Sequence, residues 1–141
     1  MSAGAKGEVL IAGASDAHGE ALVLSAPISF WGGVDPKTGR IADPRRPEAG
    51  ESVAGRVLFL PGTIGSSSAS AVLLELVRAG LAPAAIILHE PDAILLLGLI
   101  VAREMGWRHP PALQLDRKRH GAFDGLYAEV HGDGRISTRI R

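Results

Sequence analysis

Apolar residues along this chain gather in short blocks separated by glycine, proline and aspartate. Arg56 to Leu60 (RVLFL) and Ala84 to Leu88 (AAIIL) are continuous apolar runs bounded by turn residues, as expected of buried strands. Pro111 to Leu115 (PALQL) reads as a third parallel strand. Two stretches between these runs have a helical period. Val72, Leu73, Leu76 and Val77 share one face of a helix predicted from about Ser68 to Ala79, with Gly80 placed to stop it. A second helix is predicted from Pro91-Asp92 to about Met105. It is apolar almost all round from Ala93 to Ala102, which predicts deep burial or an interface.

Further strands are predicted at both ends. Glu8 to Ala12 and Glu20 to Ser25 each read as a short strand, and Leu126 to Val130 and Arg135 to Ile140 flank Gly132-Asp133-Gly134 as a hairpin. Pro27 to Gly55 shows neither period for long, yet Phe30 and Trp31 are costly to leave in water, so an ordered loop is expected there. With no internal repeat and no linker, the reading is one α/β domain over 1–141. It has a parallel βαβ core, a right-handed crossover and additional strands at both ends.

Composition narrows the function. Hydrophobic residues make up 46% of 141 but aromatics only 4%, so Val, Leu, Ile and Ala must fill the core. Lys+Arg and Asp+Glu are both 15, which gives no basic excess for a nucleic acid. The local run Arg117-Lys118-Arg119-His120 reads as solvated surface. There is no cysteine, hence no disulfide and no thiolate ligand for an iron–sulfur cluster. The start, MSAGAKGEV, lacks the pattern of a signal peptide, and Ala93 to Ala102 is too short for a bilayer span of about 20 residues. A soluble cytoplasmic protein without a membrane partner is expected.

Leu60 to Ser70 (LPGTIGSSSAS) carries the chemistry of most interest. It joins the end of a strand to the start of a helix, the end of an open α/β sheet at which ligands bind. Unpaired amides and the helix dipole favour negative charge there. The bland reading is that Ser68 caps the helix and Ser66 and Ser67 are solvated. The run lacks the Gly-Lys-Ser/Thr of a phosphate-binding loop and the nucleophile elbow of a hydrolase. His18, His89, His109, His120 and His131 leave a Ser–His–Asp triad open.

Phe30 to Asp43 (FWGGVDPKTGRIAD), Leu60 to Ser70 and Ala82 to Met105 (APAAIILHEPDAILLLGLIVAREM) together resemble the small-subunit, or swivel, domain of the aconitase X family. The resemblance implies a swivelling β/β/α fold that closes over a larger domain. It implies Ser66, the first serine after Gly65, as a catalytic base, with Gly65, Ser67 and Ser68 binding substrate and Ser67 or Ser68 capping the helix. It also implies that this chain alone binds no cofactor, the iron or iron–sulfur centre belonging to a cysteine-containing large subunit, where such a metal would bind a departing hydroxyl. The substrate would be a small hydroxy acid. The Ala-, Gly- and Arg-rich composition leans towards a GC-rich bacterium and so towards cis-3-hydroxy-L-proline, dehydrated to Δ1-pyrroline-2-carboxylate, with 5-phosphomevalonate as the alternative. The pattern departs from aconitase in having Ser68 where an arginine follows the two serines, and from related chains in having Arg46-Pro47 where a His-Pro pair is usual. Readings of other classes are a stand-alone binding domain and a self-contained serine hydrolase.

A serine hydroxyl is a poor base. Making it competent near neutrality means lowering its pKa by about five or six units, roughly 7–8 kcal/mol. A helix end supplies about 0.3–2 kcal/mol, and each hydrogen bond to a charged group about 1.5–3 kcal/mol. That arithmetic favours a site completed by a partner.

Overall fold

The computed structural model describes residues 3–140, so Met1, Ser2 and Arg141 at the ends of the predicted domain lie outside the described residues. Its strands are β1 (Gly4–Lys6), β2 (Glu8–Ile11), β3 (Ala17–Val23), β4 (Val57–Leu60), β5 (Ala85–Leu88), β6 (Ala112–Gln114), β7 (Tyr127–Val130) and β8 (Arg135–Arg139). The helices are a kinked single turn, α1 (Phe30–Gly33), and two regular ones, α2 (Ala69–Ala79) and α3 (Ala93–Glu104). No helix among the described residues is long and apolar enough to cross a membrane.

The strands lie in the order β1-β8-β7-β3-β4-β5-β6-β2. β3, β4, β5 and β6 run parallel, and the remaining pairings are antiparallel. Two segments change partner along their length. β3 pairs with β7 through Ala17–Glu20 and with β4 through Ala21–Val23. β1 and β2, at opposite ends of the order, are separated by Gly7 alone, so one bent segment pairs with β8 and then with β6. The sheet therefore wraps back on itself as two half-sheets joined at both margins. Gly7 sits where the chains crowd: its N–H donates to Gly134 O at 2.9 Å, and a Cβ there would lie 2.8 Å from Gln114 O.

This arrangement explains the continuous apolar runs. Val57, Phe59, Ala85, Ile87 and Leu113 point between the half-sheets, where they meet Ala128, Val130 and Ile136. Leu58, Leu60, Ile86 and Leu88 point the other way, onto Leu73 and Leu76 of α2 and Leu95 and Leu99 of α3. Strands buried on both faces cannot alternate with polar residues. Each of the larger of these side chains contributes about 1.5–3 kcal/mol by leaving water. The layers are thus β, β and α.

The predicted strands and both regular helices stand where the periodicity put them, within a few residues. Gly80 ends α2 in the left-handed conformation, and Asp92 caps α3 by accepting from the N–H groups of Ile94 and Leu95. Three expectations change, and of the two alternatives for α3 only all-round burial is set aside. The loop from Pro27 to Gly55 is ordered, but Phe30, Val34, Ile41 and Val53 anchor it, whereas Trp31 is 62% exposed. α3 is buried only along Leu95, Gly98, Leu99 and Ala102, and Ile94, Leu97 and Ile100 face outward. β1 and two short 3-10 turns, Arg117–Arg119 and Gly121–Phe123, carry no clear period and were not expected. His120 is not solvated: it is 2% exposed, its Nε2–H donates to Leu115 O at 2.8 Å, and its ring meets Phe59 edge-on.

Two predictions follow from this packing. α2 and α3 approach so closely that a Cβ at Gly98 would lie 2.8 Å from Ser70 O. Alanine gains about 1 kcal/mol over glycine in helix propensity, yet Gly98→Ala is expected to lower unfolding stability by about 1–3 kcal/mol through overpacking. Denaturant titration checks this, and a variant as stable as the parent would show the helices free to separate. Burial lowers the His120 pKa below its ordinary 6.5, so below that pH the unfolded chain binds the proton more readily than the folded one. Stability is expected to fall as pH drops below about 6.5, and His120→Gln should flatten that slope. Equal slopes from pH 7 to 5 would remove His120 as the cause.

Candidate active site

β4 ends at Leu60, and the chain passes through Pro61, Gly62, Thr63, Ile64 and Gly65 into three serines and α2. Neighbouring backbone holds this passage. Ile28 pairs with Thr63, the Ile28 N–H donates to Gly62 O at 3.4 Å, and the Ile64 N–H donates to Ile28 O at 3.0 Å. On the other side the His89 N–H donates to Leu60 O at 3.2 Å. The turn thus lies at the carboxyl ends of the parallel strands.

The three serines differ. Ser66 is half-buried, and its Oγ accepts the N–H of Ser68 at 3.2 Å while its carbonyl accepts that of Ala69 at 3.0 Å. Ser67 is exposed, and its carbonyl accepts the hydroxyl of Ser70. Ser68 already has helical backbone angles (φ −80°, ψ −9°), and its side chain makes no capping bond. A side chain caps from an extended backbone position, which Ser68 does not have. The cap expected at Ser68 is therefore made by Ser66, two residues earlier, whose Oγ accepts the Ser68 N–H. The N–H groups of Gly65, Ser66 and Ser67 find no acceptor among the described residues. A Cβ at Gly65 would meet nothing within 4 Å, so the fold itself does not require glycine there.

This arrangement suits negative charge on Ser66 Oγ. One donated N–H is worth about 1.5–3 kcal/mol to a charged acceptor, and the start of α2 about 0.3–2 kcal/mol more. Together they cover less than the roughly 7–8 kcal/mol that a serine base needs.

The five histidines are engaged elsewhere. His18 meets Tyr127, His89 accepts the Arg117 N–H, and His109 and His120 bond to the carbonyls of Ala12 and Leu115. None bonds to Ser66, Ser67 or Ser68. A Ser–His–Asp chain does exist at the opposite end of the sheet: Asp16 to His131 Nδ1 at 3.3 Å, and His131 Nε2 to Ser137 Oγ at 2.9 Å. Ser137 lies inside β8, laddered to Gly4 on one side and Glu129 on the other, so its backbone is committed to pairing rather than to an oxyanion. The chain ties a turn to a strand.

An open cleft of about 490 Å³ lies beside the carboxyl ends of β5 and β6, lined by Lys6, Glu8, His89, Glu90, Asp116 and Arg119 among others. The N–H of Lys118 donates to Asp116 and holds its carboxyl below the usual range. The serine turn does not line this cleft. Sequence reasoning missed a buried cluster on the neighbouring loop, where Glu48 is 7% exposed and accepts the Ser25 hydroxyl at 2.9 Å. Its only signal was a charged pair, Arg46 and Glu48, inside a proline-bounded loop between apolar anchors.

Among the described residues no group of three or more His, Cys, Asp or Glu is placed to hold a metal ion. The serine turn offers hydroxyls and amides, and the chain has no thiolate. Its residues do not fit an iron centre of its own.

Comparison with known proteins gives the context of this turn. The cis-3-hydroxy-L-proline dehydratase of Pseudomonas aeruginosa is 47% identical over 115 residues, covering 82% of this chain and 19% of that protein. The phosphomevalonate dehydratase small subunit of Methanopyrus kandleri is 49% identical over 82 residues, covering 58% of this chain and 61% of that one. The chain thus spans about a fifth of the first relative and under two thirds of the second. The crystal structure of Thermococcus kodakaraensis aconitase X in its holo form superposes with a TM-score of 0.83 at 31% identity, over 98% of this chain and 99% of that one. The family described as the aconitase X swivel domain matches residues 5–138. With fold, length and motif in agreement, this chain belongs to the aconitase X swivel domain family.

Proposed function

We propose that this chain, as one swivel domain, is the small-subunit part of an aconitase X-type hydro-lyase that dehydrates a hydroxy acid, with Ser66 as the base. The observation that carries the reading is the Ser66 Oγ held at the start of α2 by the Ser68 N–H, beside three amides without an acceptor. Two relatives named as dehydratases support the reaction class. The longer match, at similar identity, is to the cis-3-hydroxy-L-proline enzyme, which favours that substrate.

The reaction this asks of the chain is limited. The Ser66 alkoxide takes the proton from the carbon next to the carboxylate, the adjacent C–O bond breaks, and hydroxide leaves. The resulting enamine tautomerises to Δ1-pyrroline-2-carboxylate, and the net loss is one water. Gly65, Ser67 and Ser68 bind the substrate through their amides and hydroxyls, with the Ser68 amide shared with Ser66. In this reading the iron or iron–sulfur centre and its cysteines belong to the large subunit, and the complex works in the cytoplasm. The second substrate is 5-phosphomevalonate, favoured by the 49% identity to the archaeal small subunit.

The test is turnover by the complex reconstituted with its large subunit. Ser66→Ala is expected to lower kcat about 10²–10⁴-fold with assembly intact. Undiminished turnover would move the base to another residue or to the partner. Iron analysis of the separated subunits should find metal with the large subunit and none in stoichiometric amount here; iron held by this chain would sink the divided site. Comparing cis-3-hydroxy-L-proline with 5-phosphomevalonate decides the substrate. Turnover of neither, with no partner captured, would favour a stand-alone binding domain.

A further inference from the structure

The loop from Ser25 to Glu48 carries a buried ion pair that the proposed reaction does not use. The Arg46 side chain is 13% exposed and that of Glu48 9%, with Arg46 Nε 3.8 Å from Glu48 Oε1. Neither of those two atoms has a hydrogen-bond partner among the described residues, nor does the Oγ of Ser29 close by in sequence. The rest of each group is engaged. Arg46 Nη1 donates to Pro27 O at 3.0 Å and Nη2 to Ala26 O at 2.6 Å, while Glu48 Oε2 accepts from Ser25 Oγ at 2.9 Å. One ion pair thus grips three consecutive residues, Ser25, Ala26 and Pro27.

Those residues lead directly to the serine turn. Past the last ladder residue of β3 the chain runs beside the end of β4. Pro27 packs on Gly62 so tightly that a Cβ there would lie 3.2 Å from Pro27 Cγ. Ile28 then accepts the N–H of Ile64, the last backbone bond before Gly65. Between that bond and α2, the hydrogen bonds among the described residues are local ones, to Ser66 from the Ser68 and Ala69 N–H groups and to Ser67 O from the Ser70 hydroxyl. Whatever fixes Ala26 to Ile28 therefore fixes the near end of the turn.

Burial of two charges is costly unless good geometry and further hydrogen bonds repay it. A guanidinium donating to two successive carbonyls does what few side chains can, because its planar fork spans both acceptors at once. Apolar residues of similar volume would fill the space without defining where the carbonyls lie.

We propose that Arg46, with Glu48 as its counter-ion, is a positioning residue: it fixes Ala26–Ile28 and through them the geometry of Gly65 and Ser66. The proposal rests on the reading of Ser66 as the base only for its effect on turnover; its effect on the turn stands apart from that reading.

The experiment follows the amide of Ser68, the donor to Ser66 Oγ, by hydrogen exchange in the full chain, and kcat and KM in the reconstituted complex. Arg46→Met is expected to speed exchange at Ser68 at least about fivefold and to lower kcat about tenfold with KM changed less than about twofold. Arg46→Lys, able to reach one carbonyl, should recover part of both. Should Arg46→Met fail to fold, Glu48→Gln, which keeps an acceptor for Ser25 but removes the charge, should show the same two effects more weakly. Val130→Ala, in the core between the half-sheets, serves as a control for simple destabilisation and should leave Ser68 exchange unchanged. Unchanged exchange in Arg46→Met or, if that variant does not fold, in Glu48→Gln would overturn the proposal, as would an equal rise in Val130→Ala. Altered exchange in a complex whose turnover survives Ser66→Ala would uphold the positioning role and retire Ser66 as the base.

Discussion

Pairing between β3 and β4 does not stop where the strands do. It begins at Ala21 and Val57, and the Leu24 N–H still reaches Phe59 O, the Ile28 N–H Gly62 O and the Ile64 N–H Ile28 O. Two segments of chain leave the sheet side by side, and the second delivers three serines to the first turn of a helix. Both strands are buried at their paired ends and β4 is buried throughout, so the apolar core dictates the direction in which the exit points. The serine turn is in this sense an extension of the core rather than a loop laid on it.

Much of this was legible from residue patterns because β4, β5 and α2 bury nearly everything they carry on their inward faces. RVLFL and AAIIL have no polar face to confuse the period, and Val72, Leu73, Leu76 and Val77 repeat at helical spacing. β1 escaped notice because Gly4 to Lys6 holds a position through backbone pairing with β8 and contributes little apolar surface. The closure of the sheet at Gly7 was equally hidden. It depends on Gly134 and Gln114, more than a hundred residues further along, and no local pattern records a contact of that kind.

The site shows the same division. A helix start after a buried strand, rich in serine, pointed to the right place. Which serine would cap was not readable, since Ser66, Ser67 and Ser68 are chemically the same and differ only in backbone angle and in which amide lies within reach. His120 was misread because it closes a run of three basic residues, whereas its contact with Phe59 and its hydrogen bond to Leu115 O hold it inside. Arg46 stood out only as a departure from a His-Pro pair, and what it binds could not be read, because those carbonyls belong to a segment some twenty residues earlier.

The closed sheet also limits how this chain can meet another. Open sheets offer a row of bare amides and carbonyls to which a foreign strand can add. Here the two margins are halves of a single bent segment, one laid on β8 and the other on β6, so no long row of that kind remains among the described residues. Strand addition is thus limited to the short free edges of Gly4–Lys6 and Glu8–Ile11. A strand zipped onto an edge would lock two bodies in register. In the proposed role of a small subunit that swivels against a larger one, a surface that cannot be zipped would leave the domain free to swing.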